Sequence, residues 1–141
     1  MGRALIIGLI GTVITLLPIF GIAYLSDTAK EASIATKTYG IVKHEIAFDK
    51  NNIQEIEIDK IADGFVKTTF FDQSVTKYIF VKKIGKTYEI SISSNKSVIG
   101  NSDANDFFYQ LRKDMQTLFP NNKIVFNLIV DNLDNVVKRI E

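Results

Sequence analysis

The sequence predicts an α+β protein carried on a membrane. An N-terminal transmembrane anchor (residues 1–25) and a helical stalk (26–40) lead to a soluble domain (41–141), in which helices cover one face of a single, mostly antiparallel sheet. Three observations lead there. Residues 4–26 hold no charged side chain. Residues 75–93 alternate apolar and polar in two runs about Gly85, and residues 103–119 repeat apolar side chains at helical spacing.

Ala4 to Leu25 is a run of 22 residues rich in Ile and Leu, flanked by Arg3 and Asp27. At about 1.5 Å per residue, such a helix spans roughly 33 Å, enough for a hydrocarbon core of ~30 Å. Gly21-Ile22-Ala23 offers small residues where a secretory signal would be cleaved. Signal h-regions run to only ~7–15 residues, however, so an uncleaved anchor is the expectation. Gly8, Gly11, Thr12 and Thr15 fall at i, i+3, i+4 and i+7. They form a narrow stripe on which a second helix can approach closely in lipid. Pro18 extends that face and cannot donate to the Ile14 carbonyl, which Thr or a neighbouring helix must then satisfy. The stripe is the candidate contact with a membrane-protein partner, in a hetero- or homo-oligomer; Gly and Pro are also common in membrane spans for their own sake.

Positive charge is nearly balanced across the span, with Arg3 on one side and Lys30 and Lys37 beside Asp27 and Glu31 on the other. Long domains translocate largely regardless of charge, which places this one in a periplasm or outside the cell, anchored in the inner (cytoplasmic) membrane.

Beyond the anchor, residues 26–38 are rich in Ala, Lys and Glu and meet no breaker before Gly40, so the membrane helix is expected to continue as a stalk. Ile41 to Phe48 fits strand or helix equally. Gln54 to Ile58 alternates as a half-buried strand would, with Glu55, Glu57 and Asp59 on one face. Asp59 then caps a short helix through Ile61, Ala62, Phe65 and Val66, or a turn and strand run through Val66–Phe70 instead. Val75–Lys82 and Lys86–Ser93 form a hairpin through Lys83-Ile84-Gly85. Ser102 or Asp103 caps a helix carrying Phe107, Phe108, Leu111, Met115, Leu118 and Phe119, ended by Pro120-Asn121-Asn122. Lys123–Val130 is dense enough in apolar residues for an interior strand. Asp131 is expected to cap a final helix with Leu133, Val136, Val137 and Ile140 on one face. This order suits a ferredoxin-like sandwich, or else an antiparallel sensor-type sheet of the PAS or Cache kind.

The chain carries 17 basic and 16 acidic residues, almost all interspersed beyond the anchor. Without a basic face, nucleic acid and anionic lipid are not expected ligands, which leaves protein partners. The absence of cysteine excludes disulfides, thiolate metal sites and thiol catalysis. His44 is the only histidine and reads as a surface or packed structural residue. No nucleophile elbow, phosphate loop or dinucleotide fingerprint occurs, so no enzyme, cofactor or metal is expected. Asn101–Asn105 mimics the start of a calcium loop, but Asp106 stands in place of the turn glycine and Arg112 in place of the bidentate Glu, so these residues read as a helix cap. Lys77, Lys82, Lys83 and Lys86, set among Tyr78, Phe80 and Tyr88, read as a solvated sheet face or as a partner surface for an acidic protein patch.

The hairpin, the helix from Asp103 to Phe119, Pro120 with its polar turn, the strand ending in Val130-Asp131 and a last helix with Val136-Val137 together resemble, over residues 76–141, the periplasmic domain of the ExbD/TolR family. Members of that family are small proteins that form ion-driven motors with a multi-span partner. The family's proton-carrying membrane Asp has no counterpart in residues 4–25. The resemblance therefore implies an accessory subunit of an envelope machine (a motor or stator, a secretion platform or a pilus base) rather than the conducting element. A membrane-anchored ligand-binding sensory module and a pilin-like filament subunit are the alternatives.

Overall fold

The structure, a computed structural model, describes residues 33–141. The anchor, with Gly8, Gly11, Thr12, Thr15 and Pro18, lies outside the described residues, as does the first part of the stalk. Among the described residues no helix is long and apolar enough to cross a membrane.

Eight strands and α-helices follow Ser33: β1 (Ile34–Tyr39), β2 (His44–Asp49), α1 (Glu55–Lys67), β3 (Tyr78–Ile84), β4 (Thr87–Ser93), α2 (Ser102–Leu118), β5 (Lys123–Ile129) and β6 (Val136–Ile140), with a short 3-10 turn at Lys96–Val98. The six strands form one mixed sheet in sequential order, β1 to β6. Hairpins make the antiparallel pairs β1/β2, β3/β4 and β5/β6. Helices make the crossovers: α1 joins the parallel pair β2/β3, and α2 joins β4/β5. This satisfies the rule that parallel neighbours need a long connection.

The helices lie on one face and meet where Gly64 lets Met115 and Phe119 approach; a Cβ there would stand 3.1 Å from the Met115 thioether. Between helices and sheet lies the main core, which includes Ile46, Phe48, Val81, Ile90, Phe126 and Leu128 from the strands and Ile58, Ile61, Phe65, Leu111 and Met115 from the helices. Each such side chain, fully buried, contributes about 1.5–3 kcal/mol. A smaller cluster on the other face joins Ile34 and Ala47 to Phe80.

Four expectations are corrected. The stalk does not run to residue 40, because Ile34–Tyr39 is an edge strand. Its Ala and Lys content is a weak helical prior, and pairing with β2 overrides it. Gln54–Ile58 is not a strand but the start of α1, where the Glu57 carboxylate accepts the Gln54 N–H at 2.9 Å and Ile58, Ile61, Ala62 and Phe65 form one buried stripe. The final helix does not form. Asp131 takes a φ of 72°, and Asn132 accepts the N–H groups of Asp134 and Asn135, so the chain turns and returns as β6, burying Ile140 beside Phe126. The sandwich also departs from the ferredoxin-like scheme. From β2 to β5 the element order is β-α-β-β-α-β, but each parallel pair is adjacent rather than split by a third strand.

The hairpin and the α2 helix form, although Lys83 and Ile84, expected in the hairpin loop, end β3 and leave Gly85 and Lys86 as the turn. Gly85 turns the hairpin at a φ of 61°, and the Asn101 side chain, one residue before the expected caps, accepts the Ala104 N–H at 3.0 Å. Lys123–Ile129 is an interior strand between β4 and β6. Ile41 to Phe48, readable either way, holds all of β2 but its last residue.

Candidate functional site

Because β2, β3 and β5 each follow a turn or crossover, the loops gather at two ends of the sheet. The hairpin end holds Ser33, the turn after β2, the β3–β4 turn and the loop after α2. The opposite end holds the β1–β2 turn, the α1–β3 loop, the segment from Ser94 to Asn101 and the β5–β6 turn.

A groove of about 540 Å³ runs along α1 toward the hairpin end, lined by Glu57, Lys60, Gly64, Lys83, Tyr88 and Phe119 among others. Helical spacing puts Glu57, Lys60 and Gly64 on one side of α1, and strand alternation turns Lys83 and Tyr88 toward the helices. Glu57 is saturated. Its Oε1 accepts from Lys83 Nζ at 2.7 Å and from the Tyr88 hydroxyl at 2.7 Å, while Oε2 holds the helix cap. Burial opposes its charge, but the Lys83 ammonium and these hydrogen bonds prevail and hold the carboxyl below its ordinary range. Burial and the Glu57 carboxylate push the Tyr88 hydroxyl up. A carboxylate so engaged fixes the hairpin to the helix and is a poor proton shuttle. Lys60, exposed and without an ion pair among the described residues, is the one lysine lining the groove that no carboxylate engages.

A second cluster ties β1 to α1. Lys37, only 8% exposed, places its ammonium 3.1 Å from Glu55 and 2.8 Å from Asp59, and the Tyr39 hydroxyl donates to the same Asp59 oxygen at 2.7 Å. Burial alone would lower the Lys37 pKa; the two carboxylates outweigh it and raise it. Burial, with the neighbouring Asp59, raises that of Tyr39. The acidic row Glu55, Glu57 and Asp59 is thus neither a bare solvated face nor a cation site, since two lysines and two tyrosines engage it.

His44 is buried and stacks on Phe71, with ring centroids 4.3 Å apart. Its Nδ1 accepts the Lys77 N–H at 3.0 Å, so the proton sits on Nε2, which donates to the Asp72 carbonyl at 2.6 Å. Both nitrogens are satisfied only in the neutral ring. Burial lowers the pKa, the Lys77 ammonium works in the same direction, and the Asp72 carbonyl only partly compensates. The histidine is a structural pin that holds the α1–β3 loop.

The structure divides the four predicted lysines. Lys77 lies at the opposite end, paired with Asp72 at 3.6 Å and over the Phe70 ring. Lys82, Lys83 and Lys86 lie at the hairpin end, with Lys83 committed to Glu57. Sequence reasoning missed Lys60, Tyr88 and Phe119 as a group, because the groove joins three elements that are distant in sequence. It also missed Lys37, whose carboxylate partners lie 18 and 22 residues away. Among the described residues no group of His, Asp and Glu side chains could hold a metal.

No protein-family model, curated protein or solved structure matches this chain. Of the elements that carry the likeness to the ExbD/TolR family, the hairpin, the long helix and the following strand are present, and the last helix is replaced by β6.

Proposed function

We propose that this chain is a non-enzymatic, single-pass accessory or assembly subunit of a cell-envelope membrane complex, such as a motor or stator, a secretion machine or a pilus machine. The observation that carries the reading is the uncharged run of residues 4–25, which ends eight residues before Ser33 and bears the stripe of Gly8, Gly11, Thr12, Thr15 and Pro18. Such a segment crosses a bilayer as a helix and offers a partner helix a close approach. The described domain adds support, because Glu57, Asp59, Lys37 and His44 are each engaged by structural partners rather than poised for proton transfer.

The test is detergent purification of the full chain with a C-terminal tag. A second membrane protein should co-elute. Gly11→Leu, which pushes a facing backbone away, should lose it while Leu16→Ile retains it. A clean monomer from the wild type would sink the reading. The groove of about 540 Å³ favours the ligand-binding sensory module as second reading, since small-molecule sites occupy ~300–1,000 Å³.

A further inference from the structure

We infer that the hairpin end of the domain docks on anionic lipid headgroups of the membrane that residues 4–25 cross. The inference rests on the anchor reading above and adds which surface faces the bilayer and what holds it there.

The chain enters the described domain at this end. Ile34 pairs with Asp49 at the end of β2, Asn52 just beyond accepts the Lys83 N–H at 3.2 Å, and the Lys86 carbonyl accepts from the Lys123 N–H and the Asn122 amide at 3.1 Å each. Chain entry, the turn after β2, the hairpin tip and the start of β5 are therefore stitched into one surface. The eight residues from Leu25 to Ser33 reach at most about 28 Å when fully extended. The opposite end lies a strand farther away, about 20–23 Å for six or seven residues. The tether favours contact by the hairpin end.

Charge selects the same end. Lys50, Lys82 and Lys86 are exposed and have no ion pair among the described residues. Lys82 stands opposite Glu89, but that carboxylate turns to Arg139 at 3.2 Å. Of the other carboxylates here, Glu57 is matched by Lys83, and Glu89 and Glu141 by Arg139 and Lys123, while Glu55 and Asp59 share Lys37 and Asp49 keeps its charge, so that Lys50, Lys82 and Lys86 still leave the surface net positive. Ile84, 52% exposed, projects at the tip between the lysines, where an apolar side chain can enter the headgroup layer. At the opposite end Asp72, Asp103, Asp106, Asp131 and Asp134 outnumber Lys43, Lys77 and Lys96. An anionic leaflet attracts the first surface and repels the second. The near-neutral composition, net +1, hides this because it averages over both ends.

The chain contains no cysteine, so a single introduced thiol reports cleanly. Full-length Ile84→Cys and, at the opposite end, Gln73→Cys carry a fluorophore in vesicles of phosphatidylcholine, alone or with about 30% phosphatidylglycerol, doped with a headgroup-linked quencher. The Ile84 probe should be quenched on the anionic vesicles and not on the neutral ones, and the Gln73 probe on neither. Raising salt from about 0.1 to 0.5 M should release the tip as the Debye length shrinks. Lys82→Glu/Lys86→Glu should weaken docking at least about tenfold, since each lysine near an anionic surface contributes roughly fivefold. Flotation after carbonate washing reads the anchor in the same samples. Failure to float would remove the anchor and this inference together. A chain that floats but leaves the Ile84 probe unquenched on anionic lipid, or quenches Gln73 instead, would overturn the inference alone and leave the lysines to an acidic protein partner.

Discussion

The two crossover helices do the same topological task in different ways. α1 has 13 residues and buries Ile58, Ile61, Ala62, Gly64 and Phe65; α2 has 17 and buries only Leu111 and Met115. The longer helix, whose apolar spacing is the plainer of the two in sequence, is the shallower in the structure. Phe108 and Phe119 pack partly on the core, while Phe107 and Leu118 are about half exposed. α1 crosses from β2 to β3, and the aromatic cluster of Phe65, Phe70, Phe71 and Phe126 closes over its C-terminal half. Helical spacing in a sequence thus shows that a helix can form, whereas its burial depends on where the crossover sets it.

The loops after the helices differ as well. Each is held by a side chain that bonds its backbone at two or more points. After α1 the pin is His44, bonded to the Asp72 carbonyl and the Lys77 N–H. After α2 it is Gln116, which donates to the Phe119 and Asn122 carbonyls and accepts the Ile124 N–H. One pin is a titratable group whose pKa burial lowers, and the other is not titratable.

The largest expected effect breaks the comparison of the helices directly. Phe65→Ala should cost about 3–5 kcal/mol in denaturant unfolding, close to the whole stability of a small domain, whereas Phe107→Ala, at a half-exposed position beside Phe70, should cost only about 1 kcal/mol. Similar losses from both would mean that α2 is as deeply set as α1.

The two pins separate by pH. Gln116→Ala should lose about 1–3 kcal/mol at every pH, because it strands backbone groups whose partners do not titrate. His44 behaves otherwise. Its folded pKa lies below the unfolded 6.5, so its contribution is complete above that value and is lost as pH falls through 6.5 toward the folded value. Wild-type stability should decline in that window, and His44→Phe, less stable overall because it leaves the Asp72 and Lys77 groups unpaired, should show a flatter profile there. An unchanged slope in the variant would assign the pH response to another group.

The smallest effect concerns the start of α2. Asn101→Ala should cost about 1 kcal/mol, since one capping acceptor is lost while the helix keeps its packing. A thermal melt in the presence and absence of millimolar calcium checks the cap reading at once: calcium should leave both proteins unmoved.

How much was legible in the sequence follows the range of the forces involved. The β3–β4 hairpin and α2 were readable because alternation about Gly85 and helical spacing up to Pro120 are local patterns. The same patterns misled where two periods coincide. Ile56 and Ile58 alternate as in a strand, yet Ile58 and Ile61 also fit a helix, and the crossover from β2 to β3 required one. Leu133, Val136, Val137 and Ile140 fit a helical stripe, but the Asn-rich turn sends them along the edge of β5. By itself the sequence determined the uncharged segment of residues 4–25, the α+β class and the absence of cysteine chemistry, all of which depend on composition and near neighbours. Only the tertiary structure decided that Lys37 sits between two carboxylates, that His44 is a neutral pin, and that Lys77 stands apart from Lys82 and Lys86, because strand order and crossover position bring together residues that local periodicity cannot connect.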